Sequence, residues 1–494
     1  MAPHGALRGE NGESCLGEHS AGRPWDTVER MQVRHLLVVL PGICGSSLHR
    51  GRETVWGMSA DMRVPIRDPK ILAAGYDALS DPGHEDGVRP GRLMSVPVPY
   101  LSRALGPYGP LLDGLRKRFW LNELNYLEFP YDWRRPVTVN SARLAAAIRT
   151  RLAALAEYVD HPRVIIIAHS MGGLVAAHYL RHHDDAGDCH RVLTAGTPFR
   201  GAVKALDYLV NGPRLGPVRL RRLAETLREV PGVYDLLPLY RTVADRRPGR
   251  DGTARRLADL VDGLDLDAAR VRASRDLLAD LNTPHERSWT IAPLVGFGQR
   301  TVQQAILHPG GRLERSKDAD LLPAEYHARD GDGTVPVMAA TPGGEDRILP
   351  MWGGDSHNGL VHGPVHAAGL VHTTATVLAR LRSGDPALGP GDAPKGGARD
   401  HGPPEGGRTV RLDVDDLYPA GTPIEVTGRA DGRDPGTRLW GVLTGTPDAS
   451  PADIADDGTF RFEFPAAGGG VRNLEVFTTD SRESPLITDV IEVA

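Results

Sequence analysis

Val164-Ile-Ile-Ile-Ala-His-Ser-Met-Gly-Gly173 is the stretch whose reading decides the fold. Its first five residues are apolar and mostly β-branched, with no polar alternation. That is the composition of a strand covered on both faces. Residues 172–181 then carry a helical pattern. Ser170 sits between the two, with Ala168 and Gly172 two positions to either side. A strand-to-helix turn this tight strains its central residue and pushes that side chain outward, so only small residues fit beside it. Alanine stands at the first of these places, where glycine is commoner. Alone, small-x-Ser-x-Gly fits many ordinary turns. The strand before it and the helix after it give this copy the context of a nucleophile elbow, where the helix N-terminus aims N–H groups at a developing oxyanion.

Working outward, Leu36–Leu40, 164–168 and 191–195 read as buried central strands, each ending in small or turn-forming residues. Residues 111–120 and 142–159 carry apolar side chains at helical spacing. This alternation over 31–382 predicts an α/β domain: a mainly parallel sheet with helices on both faces. Residues 202–287 break the rhythm with Arg-rich helical patterns at 218–229, 254–261 and 268–281, which predicts an inserted helical cap. About half of 383–407 is Gly or Pro, the composition of a linker. From 408 to 494 apolar residues alternate at period two between Gly, Pro and Asp clusters, which predicts a small all-β sandwich of six or seven strands.

The 494 residues exceed one ordinary domain, consistent with that division. A net charge of −5 gives no basic face for nucleic acid. Three scattered cysteines (Cys15, Cys44, Cys189) form neither a disulfide framework nor a CxxC zinc pair. Residues 1–30 are polar, read as a disordered leader, and lack the basic-then-apolar order of a secretory signal. The expectation is a cytoplasmic protein whose membrane contact, if any, is peripheral.

A serine nucleophile needs a base, and the base an orienting carboxylate, in the chain order Ser, acid, His for this architecture. Asp330-Gly-Asp-Gly-Thr-Val-Pro336 presents a carboxylate in a Gly-Asp-Gly turn. Asp332 is the chosen acid and Asp330 the runner-up. Residues 347–352 read as a strand, and the loop Gly353-Gly-Asp-Ser-His-Asn358 after it supplies His357 as the base. His169, beside the serine, is expected to point away from it. Pro41-Gly-Ile-Cys-Gly-Ser-Ser-Leu48 follows the first strand, where the second oxyanion donor is expected, so Ile43 and Met171 are the predicted pair of N–H donors. Cys44 lacks an elbow and is not read as a nucleophile. His362 and His366 have i, i+4 spacing with His357 and His372 nearby, but no Glu completes an HExxH arrangement, so no metal and no cofactor are expected. Asp132 and Arg134 read as a buried pair holding a loop near the site.

With these residues in place the chain resembles the lecithin:cholesterol acyltransferase (LCAT)-like family of α/β-hydrolases. The resemblance runs in order over most of 35–375: Leu40-Pro-Gly-Ile-Cys-Gly-Ser-Ser-Leu48, residues 108–120, Pro130-Tyr-Asp-Trp-Arg134, Ala168-His-Ser-Met-Gly172, Gly196-Thr-Pro-Phe-Arg-Gly201, Pro231-Gly-Val-Tyr-Asp-Leu-Leu-Pro238, Gly331-Asp-Gly-Thr-Val335 and His357-Asn358. Pro-Tyr-Asp-Trp-Arg is the most specific. The resemblance implies an α/β-hydrolase with cap and lid that cleaves acyl esters of lipids and passes the acyl group to water or another hydroxyl. It carries Ser170, Asp332 and His357 into the triad and Ile43 and Met171 into the oxyanion hole. It makes Trp56 the candidate substrate or lipid-surface contact. Eukaryotic members staple that element with a disulfide, for which this chain has no cysteine pair. The competing readings are a non-catalytic binding protein on a hydrolase scaffold and a hydrolase of a non-lipid ester or amide. An apparently complete lipase site without an export signal also suggests activity gated by an unknown protein partner or by the cap.

Overall fold

The computed structural model describes residues 30–57, 86–94, 108–215, 218–219, 221–284, 290–318, 330–343, 350–383, 409–414, 418–431, 435–468, 470–478 and 486–493. The predicted leader (1–30) and linker (383–407) lie almost wholly outside them.

Six parallel strands form the central sheet: β1 (Leu36–Leu40), β2 (Tyr126–Glu128), β3 (Val164–His169), β4 (Cys189–Ala195), β5 (Ile291–Gly296) and β6 (Met351–Gly353), in the order β6-β5-β4-β3-β1-β2. Every residue of β1 and β3 is buried. The period-two geometry of a strand sends their side chains alternately to two cores. Leu37, Val39, Ile165 and Ile167 pack with helices α1 (Gly109–Arg118) and α7 (Pro364–Ser383). Leu36, Val38, Val164 and Ile166 pack with α2 (Val137–Leu155) and α3 (Met171–His182). Unbroken apolar runs over Leu36–Leu40 and Val164–Ala168, with no alternation, are what a sheet covered on both faces requires. The fold is an α/β-hydrolase.

Several local elements differ from their sequence reading. The helix expected at 111–120 stops at Arg118, and Phe119–Trp120 runs as a short strand parallel to Met31–Gln32. The helix expected at 142–159 begins earlier, at Val137, because the buried Asp235 carboxylate accepts the Val137 N–H at 2.7 Å and caps that end. No helix forms over 254–261. Ala254–Arg255 is a strand, and two 3₁₀ turns follow. Leu257, Leu260 and Leu264 are all buried, Leu257 inside the first 3₁₀ turn and Leu260 and Leu264 as the residues that close the two turns. Beyond helix α4 (Val203–Asn211), within 218–229, Val218–Arg219 pairs with Arg214–Leu215, and helix α5 spans only Arg221–Arg228. Helix α6 (Ala268–Leu281) matches its expected span. The cap region also draws on chain beyond 287. Val243–Asp245 pairs with Gln304–Leu307, which pairs in turn with Leu313–Ser316, and both of these lie after core strand β5.

The C-terminal region is an antiparallel sandwich. A three-stranded sheet (Thr409–Asp413, Ile424–Asp431, Thr459–Phe464) faces a four-stranded one (Ser450–Asp453, Arg438–Leu443, Gly470–Thr478, Ile487–Val493) across one core. Phe460, Phe462 and Phe464 all point inward, the outcome of strict alternation along their strand.

Asp235 generates a prediction. Burial pushes its carboxyl up to about 7, against the opposing pull of the Val137 hydrogen bond. The folded chain then keeps a proton that the unfolded chain loses near pH 4, so this group removes stability as pH rises from about 4 to about 7 and changes nothing above. Asp235→Asn still accepts from Val137 but does not ionise. Its melting temperature relative to wild type should rise between about pH 4 and about pH 7. A constant difference across that window would contradict the assignment.

Candidate active site

Ser170 occupies the turn between β3 and α3 with φ 51° and ψ −126°. This backbone conformation is strained for any residue but glycine and costs about 1–3 kcal/mol. Neighbouring contacts hold it there. The Ser170 N–H donates to Ala195 O at 2.8 Å, and its carbonyl accepts the Gly173 N–H at 2.9 Å. A Cβ on Gly172 would lie 2.3 Å from the Pro41 carbonyl oxygen, so no other residue lets α3 start this close to the end of β1.

The predicted acid and base meet this serine. His357 Nε2 lies 2.9 Å from Ser170 Oγ, and His357 Nδ1 lies 2.7 Å from Asp332 Oδ2. With the Nδ1–H donating to the carboxylate, Nε2 is left to accept the serine proton. The other oxygen of Asp332 accepts N–H groups from Thr334 (2.9 Å) and Val335 (2.7 Å), and its carbonyl accepts the His357 N–H at 2.8 Å. The carboxylate is 1% exposed, so these bonds replace the water it lacks. Gly196, with φ +57°, lies beneath the pair. A Cβ there would come within 2.8 Å of Asp332 Oδ2 and 2.9 Å of His357 Nδ1. The runner-up acid, Asp330, is elsewhere: its Oδ2 accepts from Arg411 Nη1 at 2.7 Å.

Met171 is the first residue of α3, so its N–H has no acceptor within the helix. Ile43 lies in the turn after β1 and lines the same cavity as Ser170. Cys44 follows it with φ 60°. Burial pushes the Cys44 thiol up to about 12, so it stays protonated and a poor nucleophile. Trp56 is a wall of that cavity, with its Nε1–H donating to the Cys44 carbonyl at 2.9 Å and its ring edge-on to Trp133 at 5.3 Å. The pair read at Asp132 and Arg134 is fully buried and doubly bonded (2.9 and 2.8 Å), and Asp86 adds a further contact to Arg134 at 2.9 Å.

The His169 ring makes no hydrogen bond to Ser170, but it lies 4.8 Å from the His357 ring. Tyr108 explains the placement. The Gly42 N–H donates to Tyr108 Oη at 2.7 Å, Tyr108 Oη donates to His169 Nδ1 at 3.0 Å, and His169 Nε2–H donates to the His357 carbonyl at 3.1 Å. Burial, assisted by His357, pushes the His169 pKa down to about 3, so the ring is a neutral spacer. Both residues stand inside motifs of the resemblance, but their contact across the sheet end carried no local signal.

Two cavities meet at His357. One, of about 360 Å³, is mostly apolar and holds Ser170, with Met94, Trp133, Leu223, Leu227 and Val233 in its walls. The other, of about 180 Å³, is polar, and its lining includes Arg300, Asp332, Asn358 and Leu412. Among the described residues, no three His, Cys, Asp or Glu side chains converge as a metal site, and no helix is long and apolar enough to cross a membrane.

Fold and site together define an α/β-hydrolase with a Ser-His-Asp constellation. Residues 114–252 match the model of the family described as Lecithin:cholesterol acyltransferase, a span that includes the elbow, and over it the chain is LCAT-like, as its motifs imply. No curated protein matches the chain. Solved structures similar to it include the Bacillus licheniformis lipase BlEst2 in propeptide form, with 14% identity, covering 90% of this chain and 72% of that one, at a TM-score of 0.34. The mature form of the same lipase gives 14% identity, 71% of this chain, 94% of that one and a TM-score of 0.30. These alignments are too loose to transfer a residue or an activity.

The relay through His169 makes a prediction. His169→Leu removes the donor to the His357 carbonyl and strands the Tyr108 hydroxyl, a loss of about 1–3 kcal/mol in a buried network. If that loss falls on the position of the base, kcat for an ester substrate should fall about tenfold to a hundredfold with KM little changed. Unaltered kcat in the folded variant would show that the relay does not position His357.

Proposed function

We propose that the chain is a serine-dependent acyl-ester hydrolase or O-acyltransferase acting on lipids through an acyl-serine intermediate. One observation carries the reading: the hydrogen-bonded series Ser170–His357–Asp332 opens onto a cavity walled by apolar side chains. The LCAT-like span supports the lipid class, and the cavity has the size and apolar character of a small-ligand site.

In the cycle, Ser170 Oγ attacks the ester carbonyl carbon as His357 Nε2 takes its proton. Asp332 holds the ring and stabilises the imidazolium. The carbonyl electron pair moves onto oxygen, which faces the N–H groups of Ile43 and Met171. Collapse breaks the bond to the alcohol oxygen, and that oxygen leaves with the proton from His357 Nε2. Water or a second alcohol then gives its proton to His357, attacks the acyl-serine, and frees Oγ, which recovers the proton. The acyl chain occupies the apolar cavity. The alcohol and the acceptor enter from the polar side, where Thr334, His357 and Asn358 line both cavities.

Hydrolysis of short- and long-chain nitrophenyl esters tests this. Ser170→Ala should lose at least about a thousandfold in kcat. Leu227→Trp, which fills the apolar cavity, should lower kcat/KM for the long chain about tenfold or more relative to the short one. Turnover that survives Ser170→Ala would remove the serine from the mechanism. Equal effects of Leu227→Trp on both esters would remove the acyl chain from that cavity.

A further inference from the structure

The resemblance assigns the C-terminal sandwich no role, yet its first strand reaches the loops that carry the acid and the base. Gln299 is the junction. It is 4% exposed and lies just past β5. Its backbone pairs with Gly331, N–H to carbonyl in both directions at 2.9 and 3.1 Å, beside Asp332. Its side-chain amide donates to the Gly354 carbonyl at 3.1 Å, three residues before His357, and to the Val410 carbonyl of the sandwich at 3.3 Å. Its side-chain oxygen accepts the Leu412 N–H of that same strand at 3.4 Å. Gln299 thus ties the acid loop through its backbone, and the base loop and the sandwich through its buried side-chain amide.

Two further ties flank it. Arg411, between the two residues bonded to Gln299, donates to Asp330 at 2.7 Å, two residues before the acid. Lys317 pairs with Asp413. From the hydrolase side, Thr301 Oγ1 donates to the Gln299 carbonyl at 2.8 Å and accepts the Gly333 N–H at 2.9 Å. Leu412 and Val414 of the sandwich also line the polar cavity that opens at His357.

We propose that the β-sandwich is a positioning domain for the acid–base half of the site, with Gln299 as the principal positioning residue and Arg411 as a secondary one. This rests on Ser170, His357 and Asp332 acting as proposed above. Neither residue touches substrate. Each restrains a loop whose free movement would lengthen the Asp332–His357 or His357–Ser170 bond, and small misplacements of reacting groups cost large factors in rate. Gln299 is buried and makes all its side-chain bonds across segments, so its loss should dominate. The Arg411–Asp330 pair is partly exposed, at 32% and 21%, and contributes less.

The experiment uses the full chain. Wild type, Gln299→Ala, Arg411→Ala, Arg411→Lys, the swap Asp330→Arg with Arg411→Asp, and Arg438→Ala are compared. The last breaks an exposed pair within the sandwich, with Asp453, that bonds neither Gln299 nor Asp330. Read out are kcat and KM on a nitrophenyl ester, the rate at which a fluorophosphonate labels Ser170, and the melting temperature. Gln299→Ala should lower both kcat and the labelling rate about tenfold to a hundredfold, with KM within about twofold. Arg411→Ala should lower them about twofold to fivefold, and Arg411→Lys and the swap should recover most of that. Arg438→Ala should leave both rates at the wild-type value. If folded Gln299→Ala and Arg411→Ala label and turn over like wild type, or if Arg438→Ala loses as much as they do, the positioning role is overturned while the nucleophile stands. A wild type that is not labelled at Ser170 would overturn the nucleophile and this role together.

Discussion

The strained turn at Ser170 is the constraint on which the rest depends. A residue at φ 51° and ψ −126° is tolerated only where its surroundings hold it. Here they do so with backbone bonds to Ala195 and Gly173 and with the close approach of Gly172 to Pro41 O. That approach brings the start of α3 against the end of β1. Covering both sheet faces with helices leaves the strand ends as the place where such a turn can open to a ligand, as open α/β sheets generally do.

The partners of the serine are held by burial and by hydrogen bonds from separate segments. Asp332 is kept dry and satisfied by Thr334, Val335 and His357. His357 is braced from below by Gly196, from the side by His169, and through Gly354 by Gln299. A low-dielectric site makes each of these bonds stronger and the loss of any partner more costly. The same surroundings keep Cys44 protonated and His169 neutral.

Much of this was legible because it is written locally. The elbow combines an unbroken apolar strand, small flanking residues and a helical pattern within one short stretch. The Gly-Asp-Gly turn and the His357 loop follow in the chain order that the architecture imposes. The alternation of Phe460, Phe462 and Phe464 announces an antiparallel strand with one buried face. What was not legible depends on contacts between distant segments. Tyr108 and His169 are 61 positions apart and meet only because α1 and β3 converge at the same sheet end. Val243–Asp245 finds its partner strand beyond β5, so the cap could not be bounded from its own composition. Leu257, Leu260 and Leu264 keep helical spacing, yet two separate 3₁₀ turns bury all three. Gln299 has no motif around it, and its importance lies wholly in what three other segments place beside it.

The central claim is that acyl transfer runs through Ser170. Acid quenching of the protein during turnover of a long-chain nitrophenyl ester, followed by peptide mass analysis, tests it most directly. One acyl group is expected, carried on the peptide that holds Ser170 and assigned to that side chain. Turnover without an adduct there, or an acyl group found on Cys44 instead, would contradict it.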